Sequence, residues 1–209
     1  MNIALIGTGN MGSAFAKQLD LAGHSVRIAG RNIEKAQAVA TQFGNVEATV
    51  IEQVAMDRDV IILATGYGDA VQALQHVGDI DGKVIIDITN PLTPDYMGLT
   101  VGHDSSAAEE IAKSFPNAQV VKAFNTLFAQ VLSDGPNFAN GQRGTVFVAS
   151  DSARAKSTAI ALAESIGFET VDAGGLVNAR YLEPLAGLNI YLGYGAGLGT
   201  SIAPTWIRK

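Results

Sequence analysis

The sequence predicts an α/β protein with a doubly wound, mostly parallel sheet, and three observations support this prediction. Short apolar segments alternate with segments of helical periodicity along most of the chain. Two of the apolar segments, DVIILAT and KVIIDIT, are continuous runs typical of strands that are buried on both faces. The first strand also leads directly into a glycine-rich stretch, Gly7–Gly12. Together these features favour a Rossmann-type sheet with a small C-terminal α/β appendage.

The individual elements follow in chain order. Residues Asn2–Ile6 are apolar and rich in branched side chains, which predicts the first strand. From Met11 the apolar positions recur every three or four residues, which predicts a helix that stops at Gly23. A second strand (HSVRIAG) precedes a second helix with Asn32 as its N-cap. Further strands and helices are predicted in DVIILAT, GDAVQALQHV, KVIIDIT, SSAAEEIAKSF, AQVVKAF, GTVFVAS, SARAKSTAIALAESI and FETVDAG, with a mobile loop at Ser133–Gly144.

The composition restricts the possible functions. The chain has 209 residues, of which 47% are hydrophobic and 16% charged, so it is globular and suits one domain with at most a small appendage. A net charge of −6 without a Lys/Arg cluster argues against nucleic-acid binding. Without cysteine, and with His24, His76 and His103 far apart, we expect no metal site and histidines at the surface or in turns. The N-terminal residues lack a signal pattern, so we expect a cytoplasmic protein.

The stretch Leu185–Pro204 carries no charge over nearly a membrane-spanning length. Its many glycines and several polar residues argue against membrane insertion, and its small residues at four-residue spacing suit close packing. We therefore expect a buried packing segment and no membrane contact. We also predict a homodimer in which Gly187–Pro204 packs against the same segment of a second copy.

The glycine-rich stretch has the spacing Gly7-x-Gly9-x-x-Gly12, which is the dinucleotide fingerprint when it lies between a strand and a helix. In that context Gly7 permits the tight turn, Gly9 lets the backbone approach a pyrophosphate, and Gly12 allows close helix–strand packing. The free amides of Asn10–Ser13 would then bind the phosphates. The alternative is a glycine-rich turn without a ligand, and the strand–turn–helix context favours the dinucleotide.

The end of the second strand indicates which dinucleotide is bound. NAD sites usually have an acidic residue there, whereas this chain continues with Ala29, Gly30 and Arg31. Arg31 is placed to pair with a 2′-phosphate, and Lys35 adds a second positive charge. The alternative is that both are ordinary solvated cations. We predict a preference for NADP(H).

Four motifs carry a resemblance to a known family: IGTGNMG, GHSVRIAGR with EKA, VVKAFNT, and DAGGLVNARYLEPL. They extend from Asn2 to about Leu192, and the last two are more specific than the first two, which indicate only an NADP-binding sheet. On these motifs the chain resembles the NADPH-dependent reductases of coenzyme F420, which are related to the oxidoreductase domain of the STEAP metalloreductases. The resemblance implies an NADP(H)-dependent oxidoreductase that transfers a hydride between NADPH and a flavin-like acceptor, coenzyme F420 or a flavin.

The resemblance also implies where the ligands contact the chain. Thr8 to Met11 would contact the pyrophosphate, Thr65 and Asn90 would border the ribose and nicotinamide, and Asn125 would lie with Thr126 beside the ring. The predicted cofactor-binding residues are Gly7, Thr8, Gly9, Asn10, Met11, Gly12, Gly30, Arg31, Lys35, Thr65, Asn90, Pro91, Asn125 and Ala129. We place a functional boundary after Phe124, with an NADP-binding region at 1–124 and an acceptor-binding and dimerisation region at 125–209. Within the latter, the chain from Asp172 onward would wall off the acceptor.

The sequence departs from the family in two respects. Family F420 reductases commonly carry His where this chain has Asn125, which bears on the contact with a deazaflavin. The sequence also lacks the multi-helix membrane domain of the STEAP proteins, so no haem path or electron transfer across a bilayer is expected.

No catalytic side chain is predicted, because hydride transfer to a flat ring needs proximity and stacking but no obligatory acid. The polar candidates are Asp87, Asn90, Lys122, Asn178, Arg180 and Glu183. For Asp87 and Lys122 a structural role in a strand is favoured over catalysis. The group Asn178, Arg180 and Glu183 is either a helix cap with an ion pair or a substrate clamp. Three aromatic residues could stack on a ring, although packing is favoured for them: Tyr191, Tyr194 and Trp206.

Two alternative functions remain. The chain could reduce a small ketone or imine, as hydroxyacid dehydrogenases and pyrroline-carboxylate reductases do, although those enzymes usually need a larger helical second domain and a placed acid or base. It could also be a non-enzymatic NADP sensor whose partner-binding surface changes with the NADP/NADPH ratio.

Overall fold

A computed structural model describes residues 1–139 and 141–206. Six parallel strands form one sheet in the order β3-β2-β1-β4-β5-β6. These strands are β1 (Asn2–Ile6), β2 (Ser25–Ala29), β3 (Val46–Ala48), β4 (Val60–Leu63), β5 (Val84–Asp87) and β6 (Gln119–Lys122). The chain proceeds outward from β1 to β3 and then returns to add β4 on the other side of β1. The predicted doubly wound, Rossmann-type sheet is confirmed.

The described chain contains seven α-helices, six between strands and one after the last strand. They are α1 (Asn10–Leu21), α2 (Ile33–Ala40), α3 (Tyr67–His76), α4 (Ala107–Ser114), α5 (Ala129–Asp134), α6 (Ala153–Ser165) and α7 (Ala179–Ile190). Two short 3₁₀ turns lie at Ile51–Gln53 and Leu176–Asn178, and α7 continues into a π-helical turn at Tyr191–Gly195.

The sheet is buried on both faces. Along β1, Ile3 and Leu5 pack with α1, α2, α5 and α6 on one face, and Ala4 and Ile6 pack with α3 and α4 on the other. Successive side chains of a strand point to opposite faces, so a strand between two helical layers must be apolar at every position. This explains why the strand segments are continuous apolar runs.

Helix boundaries follow the local signals in the sequence. The side chain of Asn32 accepts the backbone N–H of Lys35 at 3.0 Å, and Ser106 accepts that of Glu109 at 3.2 Å. Gly23 follows α1 with φ of +74°, a conformation that costs glycine little. The predicted N-cap at Asn32 and the predicted stop at Gly23 are therefore confirmed.

The C-terminal part forms a small α/β unit against the main sheet. Strands β7 (Thr145–Val148) and β8 (Glu169–Asp172) pair in parallel, with α6 as the connecting helix. A single antiparallel bridge between Lys122 and Ala149 joins this pair to β6. The appendage predicted from the sequence corresponds to this unit.

Several expectations differ from the structure. Neither β3 nor α5 is predicted, and α5 extends into the predicted loop, of which Asn140 lies outside the described residues. The prediction that the C-terminal segment is buried is wrong for the single chain, because Tyr191, Tyr194 and Leu198 are 52%, 65% and 60% exposed. A π-helical turn and the glycine-rich residues after it lie at the surface, whereas Ala186, Asn189 and Gly193 of the same stretch are buried.

His24, expected at the surface or in a turn, lies in the short connection between α1 and β2 and is buried there, with Nε2 2.8 Å from the Ser165 hydroxyl. Among the described residues, no helix combines the length and apolarity needed to span a bilayer.

Candidate functional site

The glycine loop joins β1 to α1 at the carboxyl edge of the sheet. Gly7 has a φ of +125°, and a Cβ there would lie 2.2 Å from the carbonyl oxygen of Ala64. A Cβ on Gly12 would lie 2.0 Å from the carbonyl oxygen of Gly7. At Gly9, by contrast, no atom of the described chain lies within 4 Å of a Cβ position. Gly7 and Gly12 are therefore required by internal packing, whereas Gly9 leaves open space at the start of α1, where a pyrophosphate fits.

A cleft of about 570 Å³ opens beside this loop, and we call it the glycine-loop cleft. Its lining includes the predicted residues Gly7, Thr8, Gly9, Gly30, Arg31, Lys35 and Thr65, together with Asp69, Gln72 and His76, which the sequence analysis did not identify. Arg31 follows β2 and Lys35 lies in α2, so two cations flank one wall. Asp69, in the first turn of α3, lies 3.4 Å from Arg31.

A second cavity of about 470 Å³ lies at the carboxyl ends of β4, β5 and β6, and we call it the strand-edge cavity. Its lining includes the predicted residues Asn10, Met11, Thr65, Asn90, Asn125 and Ala129. Helix α7 and the turn after it form one wall through Ala186, Asn189, Ile190 and Tyr194. Two predicted residues line neither cavity. Gly12 packs against the glycine loop, and Pro91 is buried, with its carbonyl accepting the N–H of Thr100.

Two asparagines at the strand edge hold one another in fixed orientations. Asn90 Nδ2 donates to the main-chain carbonyl of Asn125 at 2.9 Å. Asn125 Nδ2 donates to Asn90 Oδ1 at 3.0 Å and to the carbonyl of Leu182 at 2.9 Å. Because main-chain carbonyl oxygens can only accept hydrogen bonds, the side-chain atom that faces each of them must be the amide nitrogen. This fixes which atom is nitrogen and which is oxygen in both asparagines. Asn125 is 5% exposed, and its Oδ1 has no hydrogen-bond partner.

The unpaired Asn125 Oδ1 has two neighbours of the same kind in the cavity lining. The hydroxyls of Thr65 and Thr126 are also buried without a partner. A buried polar group without a hydrogen bond costs about 1–3 kcal/mol, so such groups are rare unless a ligand satisfies them. Three residues of the lining thus carry a polar atom without a protein partner, namely one amide oxygen and two hydroxyls.

The backbone at Phe124 directs Asn125 into this position. Phe124 has a φ of +60°, which is unusual for a bulky residue. Its ring is fully buried and contacts Phe15 edge to face, with centroids 5.1 Å apart. Packing of the ring therefore holds a strained backbone, and strain of this kind concentrates at functional sites.

The strand-edge cavity is uncharged. No Asp, Glu, Lys, Arg or His of the described residues lines it. Its titratable side chains are the phenols of Tyr96 and Tyr194, which are 61% and 65% exposed. The cavity can enclose a flat uncharged ring between apolar walls, but it contains no placed acid–base pair of the kind that proton transfer requires.

The remaining polar candidates are paired away from the cavities. Lys122 Nζ lies 2.6 Å from Asp87 Oδ2 and 2.8 Å from Glu183 Oε1, all fully or almost fully buried. Burial raises the pKa of the Glu183 carboxyl group. Burial alone would lower the pKa of Lys122, but the two carboxylates raise it overall. These groups contact neither cavity, which supports a structural role.

The other two members of the predicted C-terminal group are also structural. Arg180 donates to both oxygens of Glu109, from Nε at 2.9 Å and from Nη2 at 2.7 Å, and thereby joins α7 to α4. Asn178 Nδ2 donates to the carbonyl of Ala173 at 2.5 Å. The substrate-clamp alternative is therefore not supported for this group. Within the described residues no three His, Asp or Glu side chains are grouped to hold a metal ion.

Sequence reasoning missed most of the apolar wall of the strand-edge cavity. The missed lining residues include Leu92, Tyr96, Leu127, Phe128, Ala186, Asn189 and Ile190. The uncharged stretch from Leu185 was a usable signal, since it contains Asn189, whose Nδ2 donates to the carbonyl of Thr126 at 3.0 Å.

Comparisons with known proteins identify relatives of the whole chain. The sequence profile described as NADP oxidoreductase, coenzyme F420-dependent, matches residues 2–91. The F420-dependent NADP reductase of Methanothermobacter marburgensis is 34% identical, and the match covers 92% of each protein. The metalloreductase STEAP3 of Rattus norvegicus is 29% identical over 88% of this chain, which spans only 36% of that longer protein.

Solved structures give the same assignment. A crystal structure from Arthrobacter sp. FB24, named as a candidate F420-dependent NADP reductase, superposes with a TM-score of 0.89, at 29% identity and over 99% of both chains. An imine reductase from Pseudomonas sp. is 20% identical with a TM-score of 0.67 over 63% of its length, and this similarity concerns the fold alone. The chain belongs to the family of F420-dependent NADP oxidoreductases, and it is an NADP-dependent oxidoreductase.

Proposed function

We propose that this protein transfers a hydride between NADP(H) and a planar, flavin-like acceptor, either coenzyme F420 or a flavin. The observation that carries the proposal is the uncharged strand-edge cavity, which is large enough for ring systems and contains no placed acid–base pair. When bound, NADPH supplies the hydride from C4 of its nicotinamide. The residues of the chain contribute proximity, orientation and exclusion of water.

In this proposal the glycine-loop cleft binds the adenosine half of NADP(H). The amides at the start of α1 bind the pyrophosphate, and Gly9 leaves the backbone accessible to it. Arg31 and Lys35 bind the 2′-phosphate, because a guanidinium and an ammonium on one wall suit a dianion. Gly12 and Pro91 act indirectly, by fixing the glycine loop and the loop after β5.

The strand-edge cavity then receives the nicotinamide and the acceptor ring together. Asn125 Oδ1 is a fixed hydrogen-bond acceptor, so it accepts an N–H from the nicotinamide carboxamide or from the acceptor ring. Thr65 and Thr126 supply hydroxyls for the carbonyl groups of those ligands. A flavin or deazaflavin ring carries both carbonyl and N–H groups, which suits this set. A histidine at position 125 could not accept in the same way while also donating twice.

We assign residues 1–124 to NADP(H) binding and residues 125–209 to acceptor binding and dimerisation, with 207–209 outside the described chain. The proposed homodimer rests on the exposed apolar side chains of the Gly187–Pro204 segment. Leu188, Tyr191 and Leu198 are 54%, 52% and 60% exposed there. A second copy that covers them would also protect the strand-edge cavity, since Tyr194 belongs to both surfaces.

The proposal is tested by following NADPH oxidation with F420, FMN, FAD, quinones and ferric chelates as acceptors. Reduction of F420 or a flavin is the expected outcome. Efficient reduction of a ketone or imine would instead support the second enzymatic function, for which an acid must be found. Tight NADPH binding without reduction of any acceptor would support the NADP sensor.

A further inference from the structure

The end of β6 and the segment that follows it are bonded to α7 at three points. The three contacts are Lys122 Nζ to Glu183 Oε1 (2.8 Å), Asn125 Nδ2 to the Leu182 carbonyl (2.9 Å) and Asn189 Nδ2 to the Thr126 carbonyl (3.0 Å). One partner in each contact belongs to the strand edge and the other to α7, which forms the opposite wall of the strand-edge cavity. The contacts therefore fix the separation of the two walls.

The innermost contact belongs to a buried cluster of Asp87, Lys122 and Glu183, here called the Lys122 cluster. Lys122 Nζ lies 2.6 Å from Asp87 Oδ2 and 2.8 Å from Glu183 Oε1, and it donates to the carbonyl of Thr89 at 2.7 Å. Lys122 Nζ thus lies within 3 Å of three acceptor oxygens, although Asp87 Oδ2 is not placed to form a hydrogen bond. The side chains of the cluster are at most 1% exposed.

The cluster contains two carboxylates but only one ammonium group. The N-terminus of α4 compensates the charge of the second carboxylate. Glu183 accepts the backbone N–H of Ala107 at 2.9 Å and that of Ala108 at 3.2 Å, at the N-terminus of α4. Partial positive charge at a helix N-terminus stabilises an anion. Asp87 accepts the N–H of Thr89 at 2.8 Å through its other oxygen. Each carboxylate oxygen therefore has a donor close by, which a buried ionic network requires.

A buried ion pair of this kind contributes little to net stability, because desolvation offsets the Coulombic attraction. Its bonds are nevertheless directional, and they connect two elements that face one another across the site. Within the described residues no member of the Lys122 cluster lines either cavity. Any effect of the cluster on the reaction must therefore act through the position of α7.

We propose that Lys122 and Glu183 are positioning residues, which hold α7 at the height over the strand edge that brings the acceptor ring against the nicotinamide. The proposal rests on the function proposed above. NADP(H) binding depends mainly on the glycine-loop cleft, so the cluster affects the acceptor and leaves the affinity for NADPH unchanged. A displacement of about 1 Å at reacting atoms can lower a rate by about a hundredfold.

The test is Glu183→Gln, which keeps the side-chain volume but replaces one carboxylate oxygen with an NH₂ group. That group would face another donor, the backbone N–H of Ala107 or the ammonium of Lys122. We expect kcat/KM for the acceptor to fall about ten- to a hundredfold, with the NADPH Kd within about twofold of wild type. Glu183→Asp keeps the negative charge on a shorter side chain. Lys122 therefore still has this charge nearby, and the variant should fold. It should change the same parameters in the same direction.

Arg180→Gln is the matched control, because it removes a partly buried ion pair that also joins α7 to α4 but does not reach the strand edge. It should lower the melting temperature and leave kcat/KM for the acceptor unchanged. A purely structural role of the cluster predicts this same result for the Glu183 variants. Wild-type acceptor kcat/KM in folded Glu183→Gln and Glu183→Asp would therefore overturn the proposal.

Amide hydrogen exchange separates this proposal from the proposed function, because it needs no acceptor. We expect the amides of residues 185–193 to exchange faster in Glu183→Gln than in Arg180→Gln. If the wild-type protein reduces no acceptor, the proposed function fails. Hydrogen exchange alone then tests whether the Lys122 cluster positions α7. Equal exchange in the two variants would then overturn the positioning role.

Discussion

Arg31 Nη1 lies 3.4 Å from Asp69 Oδ2, and this contact joins the two walls of the glycine-loop cleft. Arg31 follows β2, whereas Asp69 lies in the first turn of α3. Their side chains are 88% and 47% exposed, and an exposed pair contributes at most about 1 kcal/mol. A phosphate dianion can therefore displace Asp69 as the partner of Arg31. Asp69 thus competes with the 2′-phosphate that distinguishes NADP(H) from NAD(H).

The two residues should affect NADPH affinity in opposite directions. Arg31→Ala is expected to weaken NADPH binding by roughly 1.5–3 kcal/mol, the range for hydrogen bonds to charged groups, and to leave NADH nearly unchanged. Asp69→Asn is expected to tighten NADPH binding up to about fivefold, because it frees Arg31. Asp59→Asn, at the opposite edge of the sheet, is the charge-matched control. Fluorescence titration measures these affinities, and equal losses for both cofactors in Arg31→Ala would contradict the assignment.

Substitutions at Gly9 and Gly12 should have different effects, the first on NADPH binding and the second on folding. Gly9→Val is expected to fold with near-normal stability, since its Cβ meets open space, but to lose NADPH binding because the side chain occupies the pyrophosphate position. Gly12→Ala places a Cβ 2.0 Å from the Gly7 carbonyl and should destabilise the fold itself. Thermal unfolding and NADPH titration of both variants provide the test. Normal NADPH binding by folded Gly9→Val would exclude the fingerprint interpretation.

The sequence is sufficient to predict the sheet because the sheet depends on local patterns. Continuous apolar strands, the Asn32 cap and the Gly7–Gly12 spacing are each contained within a short segment. Strand β3 is missed because three residues, Val46–Ala48, carry too little periodicity to recognise. Helix α5 has six residues and overlaps a segment rich in turn-forming residues, so its local signal is equally weak.

The strand-edge cavity is harder to predict because its geometry depends on contacts between distant segments. Phe124 combines a positive φ with a ring that packs against the distant Phe15, and no local signal indicates such strain. The pairing of Lys122 with Glu183 spans β6 and α7 and depends on how α7 docks. The apolar composition of the C-terminal stretch predicts burial although its tyrosines are exposed, because composition does not distinguish a core from a subunit interface.

The Glu109–Arg180 pair makes stability depend on pH. The hydrogen bond from Arg180 lowers the pKa of Glu109 from its ordinary value of 4.5, against an opposing effect of burial. A lowered pKa means that the contribution is present above about pH 4.5 and is lost as the pH falls through the folded-state pKa. Arg180→Gln should therefore be less stable than wild type near neutral pH, with a difference that shrinks in acid. Urea unfolding at about pH 7 and about pH 3 measures this, and a difference independent of pH would argue against the pair.

The proposed homodimer should depend on the exposed face of α7. Leu188→Lys is expected to give a monomer, because it places a charge within the exposed apolar surface. Leu21→Lys is the matched control, since Leu21 is 72% exposed on α1, away from that face, and the variant should remain dimeric. Sedimentation velocity at micromolar concentration distinguishes the two states. A monomeric wild-type protein under these conditions would rule out the dimer.

Hydride transfer to a flat ring is tested most directly by following the label from NADPH stereospecifically deuterated at C4. The strand-edge cavity contains no placed acid–base pair in the described chain, so the deuterium should pass directly to the acceptor without exchange with water. We predict that it appears on reduced F420 at the reacting carbon, from one face of the nicotinamide only. With F420, whose reacting atom is a carbon and so does not exchange its hydrogen with water, loss of the deuterium to solvent would contradict direct transfer. Transfer instead to a ketone or imine, with a bell-shaped pH profile that one substitution abolishes, would contradict the proposed acceptor.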